Sequence, residues 1–214
     1  MGQEIYLTIG MKKNGAERGR PRSFDRDLAL HRAMEVFWAR GYEGASIGDL
    51  TAAMGIERPS LYAAFGCKEA LFRQAVELYR GQGLTRQALA DAPTARDAVA
   101  AMLRTNAIHY ASPGQPRGCL VVLAAVVGTE ASAEVRAELA AMREEVRSAV
   151  EARIRQGIGE GDVSAAADPA LMASFYCTVL NGLSLQARDG RSAEDLIAIG
   201  TAAMAAWDAL AGPP

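Results

Sequence analysis

Four glycines, Gly41, Gly55, Gly66 and Gly81, cut the chain between residues 24 and 82 into short pieces, and each piece carries apolar residues at helical spacing. From Phe24 to Arg40, the residues Leu30, Ala33, Met34 and Phe37 fall at i, i+3, i+4 and i+7, the stripe of an amphipathic helix that Gly41 stops. Tyr42 to Ala45 reads as a short connection. Ser46, with Asp49 three residues on, predicts a capping-box start for a second helix whose inner side is Ile47, Leu50 and Met54. Gly55 ends that helix in the left-handed conformation glycine tolerates best. Pro59 fits only the first turn of a helix, so a third helix begins at about Glu57 or Arg58 and stops at Gly66, with Leu61 and Phe65 inward. A helix this short is held by packing rather than by its own hydrogen bonds. Its outer face is left with Arg58, Ser60, Tyr62, Ala63 and Ala64. Lys68 opens a fourth helix to about Arg80, with Leu71, Val76 and Leu78 apolar and Tyr79 near its end.

Beyond Gly81 the chain turns alanine-rich. Helices are expected over Ala95–Ala111, over an apolar run Cys119–Val127 buried on all sides, and over Ser132–Gln156, where Glu144 with Arg147 and Glu151 with Arg155 are spaced for surface pairs. Pro113 to Pro116 and Gly157 to Gly161 read as breaks. Asp168 caps a helix that Pro169 begins and that runs to Ala187. Ser192, followed by Glu194 and Asp195, starts a last helix ending near Leu210. No strand is read. With half the residues hydrophobic and only 6% aromatic, the fold class is all-α.

A net charge of −2 hides an asymmetry. Residues 1–82 carry 12 Lys/Arg against 10 Asp/Glu (net +2) and residues 83–214 carry 11 against 15 (net −4). Lys12, Lys13, Arg18, Arg20 and Arg22 crowd the front against Glu17 alone, which fits a nucleic-acid-binding head on a body that does not touch phosphate. No apolar run approaches the roughly 20 residues of a spanning helix, and no export signal is read, so a cytoplasmic protein without a membrane partner is expected. Cys67, Cys119 and Cys177 lie far apart without a CxxC, and only His31 and His109 accompany them. That spacing suits neither a zinc site nor a nucleophile–base pair, so no cofactor, metal or catalytic residue is expected and the chain is not read as an enzyme.

A helix, a second short helix, a glycine turn and a third short helix with a polar outer face make a helix-turn-helix. The run GYEGASIGDLTAAMGIERPSLYAAFGCKEALF resembles the DNA-binding domain of the TetR/AcrR transcriptional regulators in its glycine-aromatic turn, its hydroxyl-capped second helix, the LY…F of its third and the KEAL of its fourth. The resemblance implies a basic arm (1–22), a helix-turn-helix domain (23–66), a connecting helix (67–82) and a larger helical domain for ligand binding and dimerisation (83–214). It implies a ligand-responsive repressor that binds double-stranded operator DNA as a homodimer and is released by a small molecule. The alternatives are a helical protein-interaction module that retains a DNA-binding head without operator specificity, and an electrophile or redox sensor acting through Cys119.

Residue by residue, Ser46 can cap its helix and offer its hydroxyl and backbone N–H groups to a phosphate. Tyr62 and Lys68 match family positions that touch the DNA backbone. Arg58 and Ser60 are placed to reach base edges, arginine suiting guanine O6/N7; Pro59 and Ala63 lie beside them, and an alanine can meet a thymine methyl. Arg20 and Arg22 can enter a neighbouring minor groove. Three departures from the family pattern stand out: Glu57 replaces a small hydroxyl cap, Ala63 and Ala64 replace larger side chains, and Cys67 replaces a serine- or asparagine-like cap. Selectivity is then expected to rest on Arg58, Ser60 and DNA shape.

Candidates to line an effector pocket are Leu103, His109, Tyr110, Cys119, Met142, Phe175 and Tyr176. Cys119 follows Gly118 at the start of an apolar helix, where the dipole favours a thiolate and burial opposes it. The resemblance implies a dimer formed through helices 168–187 and 192–210, whose Leu171, Phe175, Val179, Leu183, Ile197, Ile199, Met204 and Trp207 exceed what the pair needs internally; an intramolecular core is the alternative for several of them.

Overall fold

The Asp25 carboxylate accepts hydrogen bonds from the Asp27 and Leu28 N–H groups and so starts α1 (Arg26–Gly44). The computed structural model describes residues 24–212; the basic arm, with Arg20 and Arg22, lies outside the described residues. Helical geometry breaks at Gly41 (φ 72°, ψ 173°), a backbone region open essentially to glycine alone. Gly41 is also needed for space, because a Cβ there would stand 2.9 Å from the Ala124 carbonyl oxygen. That same oxygen accepts the Tyr42 N–H at 2.7 Å.

The next three helices are α2 (Ile47–Met54), α3 (Arg58–Phe65) and α4 (Lys68–Arg80). Leu50, Leu61 and Leu71 from the three are fully buried. Phe72 makes edge contacts with Phe37 and Tyr42 at centroid distances of 5.0 and 5.1 Å, an aromatic wedge that fixes α4 across α1. The short α3 is thereby held from behind, with Leu61 and Phe65 as its anchors.

In the body, α5 (Leu84–Asp91) was not anticipated; it starts directly after the left-handed Gly83. It packs on α6 (Ala95–Tyr110), which Thr94 caps. The apolar run that follows is not the buried helix expected over Cys119–Val127. Only α7 (Leu120–Leu123) is helical, and Val126 and Val127 are 64% and 86% exposed. The Ala124 carbonyl that would continue the helix is turned to Tyr42 instead. α8 (Ala133–Glu160) runs through the glycines expected to break it and ends at left-handed Gly161. Gly157 is a packing residue: a Cβ there would overlap Asp162 Oδ1 and lie 2.7 Å from Ala95 Cβ.

α9 (Pro169–Arg188) starts on an Asp168 cap that accepts from Ala170 and Leu171 N–H. The expected last helix is divided, with α10 (Ala193–Ala203) and α11 (Trp207–Ala211) separated by a 3-10 turn over Met204–Ala206. Among the described residues no helix is long and apolar enough to cross a membrane.

Head and body are spliced at the C-terminal end of α1. Trp38 Nε1 donates to the Gly118 carbonyl at 3.0 Å, and Arg188 of α9 donates to the Trp38 and Ala39 carbonyls at 2.6 and 3.1 Å. The Glu43 carboxylate accepts the Thr129 N–H and hydroxyl at 3.1 and 2.8 Å.

Gly41→Ala therefore combines a forbidden backbone region with a backbone clash. It is expected to cost about 1–3 kcal/mol from the dihedral alone, read as a lowered urea midpoint at unchanged slope. Hydrogen bonds from Ser132 and Thr129 hold the Glu43 carboxyl down at about 2. A carboxyl depressed on folding stabilises above its ordinary pKa of about 4.3 and loses that contribution as pH falls toward the folded value. The melting-temperature advantage of wild type over Glu43→Gln is expected to be full at neutral pH and to vanish as pH is lowered from about 5 to 2.

Candidate nucleic-acid interface and ligand cavity

The second helix opens on a complete capping box. Asp49 N–H donates to Ser46 Oγ at 3.0 Å, and the Asp49 carboxylate accepts from both the Ser46 hydroxyl (2.7 Å) and the Ser46 N–H (3.1 Å). The Ser46 hydroxyl and N–H groups, with Arg40 at 2.7 Å, hold the Asp49 carboxyl below its usual range. The hydroxyl proton of Ser46 is thus bonded to Asp49. What this helix start presents outward is the N–H groups of its first turn, which have no intrahelical acceptor. Arg40, which no sequence pattern singled out, joins the cap from α1.

On α3, Arg58, Pro59, Tyr62 and Ala63 are exposed and form one face. Ser60 is half-buried at its flank. Ala64, expected on the outer face, is half-buried against the core, because with Leu61 and Phe65 it forms an i, i+3, i+4 set. Glu57 stands at the N-cap without a side-chain cap bond, while Cys67 does cap α4, its Sγ accepting the Ala70 N–H at 3.4 Å. Lys68 is half-buried, with Nζ 4.6 Å above the Tyr42 ring. Desolvation lowers its pKa, and the Glu43 carboxylate opposes that shift.

A cavity of about 480 Å³ lies in the body, bounded by the end of α4 and by α5, α6, α7, α8 and α9. His109, Tyr110, Cys119 and Met142 line it as expected, and Tyr79, Asn106, Arg143, Arg153, Cys177 and Leu180 join them. Leu103, Phe175 and Tyr176 do not. Leu103 is buried beneath Gly200 of α10, Tyr176 packs on Trp207 at a centroid distance of 5.6 Å, and Phe175 lies on the outer side of α9. Helical rotation separates these residues from the cavity face, and the sequence held no signal for which apolar stripe turned which way.

Burial pushes the Tyr79 and Tyr110 hydroxyls well up, reinforced by Cys119 beside both, and pushes the Cys177 thiol up to about 11. His109 is lowered by burial and stays neutral at pH 7. The dipole argument for Cys119 loses its footing: the residue caps a helix of only four residues and is buried, with its N–H donated to Ser184 Oγ at 2.8 Å. The cavity wall reaches the head directly, because the Trp38 indole stacks on His109 at 5.7 Å and meets Tyr79 edge-on at 4.9 Å.

A braced recognition helix on a small three-helix head, joined to an all-helical body with a cavity, defines a helix-turn-helix transcriptional regulator. The model "Bacterial regulatory proteins, tetR family" matches residues 29–75, and "Tetracyclin repressor-like, C-terminal domain" matches residues 95–199. The HTH-type transcriptional repressor ComR of Escherichia coli (strain K12) is 30% identical over 196 residues, 90% of this chain and 93% of that protein. The HTH-type transcriptional repressor BdcR of the same organism is 32% identical, covering 91% and 93%. A cysteine mutant of the TetR family transcriptional regulator CifR, solved in complex with 26 bp double-strand operator DNA, is 52% identical with a TM-score of 0.86, covering 88% of this chain and all of that one. The chain belongs to the TetR family of transcriptional regulators.

Proposed function

We propose that the chain is a repressor whose dimer inserts α3 of each head into the major groove of an operator and lets go when a small molecule fills the body cavity. The observation that carries this reading is the exposed Arg58–Pro59–Tyr62–Ala63 face on a helix anchored from behind by Leu61 and Phe65. The likeness to CifR, whose mutant was solved on operator DNA, supports it. Arg58 reads base edges with Ser60 at its flank, Pro59 and Ala63 give close apolar contact, and Tyr62, Lys68 and the first-turn N–H groups of α2 hold phosphates. Lys68 does so from a position in which its Nζ lies over the Tyr42 ring.

The cavity acts through α1. A ligand pressing on Tyr79 and His109 presses on the Trp38 indole, and Trp38 is tied to Gly118 and Arg188 at the splice. A ligand that favours a different setting of Trp38 releases DNA by as much as its affinity differs between the two settings.

Dimerisation runs through the outer faces of α9 and α10. Leu171, Phe175 and Leu185 repeat along α9 with Ile199 on α10, all exposed. Leu183 and Trp207, counted with them from the sequence, are buried within the chain, and Val179, Ile197 and Met204 are half-buried. Leu171 at 57% exposure is large apolar surface of the kind a partner covers.

An operator selected from a random duplex pool tests the reading. Its binding is expected to exceed that of random DNA and to weaken steeply with salt. Equal affinity for both would favour the interaction-module alternative. Lys68→Ala is expected to weaken binding to all duplexes alike and to reduce the salt slope by about 1. Arg58→Ala is expected to cost about 1–3 kcal/mol on the selected operator and little on random DNA. Phe175→Glu is expected to give monomers in sedimentation velocity with helical circular dichroism retained, and with operator affinity lost because paired half-sites are no longer read together.

A further inference from the structure

We infer that the effector is a small amphipathic anion, an apolar body carrying a carboxylate or similar oxyanion; this rests on the cavity being the effector site. The lining holds Arg80, Arg86, Arg143 and Arg153 against Glu145 as its sole carboxylate, and Glu145 is already bonded to Arg80. The remaining cations are poorly matched. Arg153 is only 7% exposed, yet its contacts are long: Nη2 to the Ala92 carbonyl at 3.3 Å and Nη1 to the Glu160 carboxylate at 3.6 Å, which leaves Nη1 without a hydrogen bond. Arg143 donates to the Val121 carbonyl at 2.9 Å and among the described residues has no carboxylate within ion-pair distance.

A second orphan donor lies near the end of α6. The Gln115 amide donates to His109 Nδ1 at 3.3 Å, which makes Nε2 the protonated nitrogen, and Nε2 has no acceptor. Both orphans are donors. A buried guanidinium nitrogen and an imidazole N–H without an acceptor are costly, and a ligand oxyanion beside either one relieves that cost there. Part of the wall asks for something apolar: Leu89, Val121, Met142, Val146 and Leu180 offer no polar side-chain group, although Asn106, Thr85 and Asn181 also line the cavity. A hydrocarbon or aromatic body with one anionic end satisfies both halves of the lining, and a neutral or cationic ligand satisfies only one.

The test uses the full-length dimer with 4-phenylbutyrate, 4-phenylbutyramide and 4-phenylbutylamine, probes of similar shape and different charge, read by calorimetric affinity and by release of the selected operator. The carboxylate is expected to bind roughly tenfold or more tighter than the amide, with the amine weakest, and to release DNA in the same order. Arg153→Met is expected to bring carboxylate and amide to near parity, while Arg153→Lys keeps the preference. Equal binding of carboxylate and amide by the wild type, tighter binding of the amine, no binding of any probe, or a preference that survives Arg153→Met would each overturn the inference. A cavity-filling Val146→Trp separates the two levels. If the amide or amine releases DNA from the wild type and not from Val146→Trp, the cavity reading stands and the anion reading falls. If a probe releases DNA equally from both, the cavity reading itself falls.

Discussion

One carbonyl decides how the two halves of the chain meet. Ala124 ends α7 and, instead of continuing the helix, gives its oxygen to the Tyr42 N–H at 2.7 Å, in a space that exists because residue 41 has no Cβ. The aromatic wedge of Phe37, Tyr42 and Phe72 behind the recognition helix depends on where Tyr42 is held. So does the perch of Lys68 over the Tyr42 ring. On the other side of the same bond, α7 forms a wall of the cavity with Cys119, Val121 and Val122. The head and the body thus share a boundary in which a few hydrogen bonds and the Trp38–His109 stack sit within one continuous apolar core.

Hydrogen bonds through Trp38, Glu43 and Arg188 are directional, and they register a small displacement of α1 as a loss of geometry rather than as a smooth slide. The Trp38 indole is the piece that touches both functions. It donates to Gly118 while its faces meet His109 and Tyr79 of the cavity wall.

The head was legible in the sequence because its helices are short and each is punctuated by residues with one reading. Ser46 with Asp49, left-handed Gly55, Pro59 in a first turn and inward Leu61 and Phe65 all stand where their chemistry requires. The body was less legible because its punctuation is ambiguous. Gly157 sits inside α8 to let Ala95 and Asp162 approach, and glycine for packing looks the same in a sequence as glycine for a break. The apolar run after Cys119 leaves the core only at Val126 and Val127, past the point where the Ala124 carbonyl turns to a distant residue, Tyr42. Among the candidate residues, the exposed side of α3 was readable from helical spacing except at Ala64, which turns toward the core. Cavity membership was not: His109, Tyr110, Cys119 and Met142 line it while Leu103, Phe175 and Tyr176 face elsewhere, a matter of helix rotation that alanine-rich stripes do not encode. The reach of Arg40 to the Asp49 carboxylate likewise is a three-dimensional detail that no local pattern encodes.

The central claim is that Trp38 carries the state of the DNA-binding head to the cavity. The chain has two tryptophans, so a Trp207→Phe background leaves Trp38 as the sole indole emitter. Titrating that variant with the selected operator is expected to shift the Trp38 emission along the same curve as DNA binding followed by anisotropy. Binding that saturates while the Trp38 emission stays unchanged in position and lifetime would contradict the account.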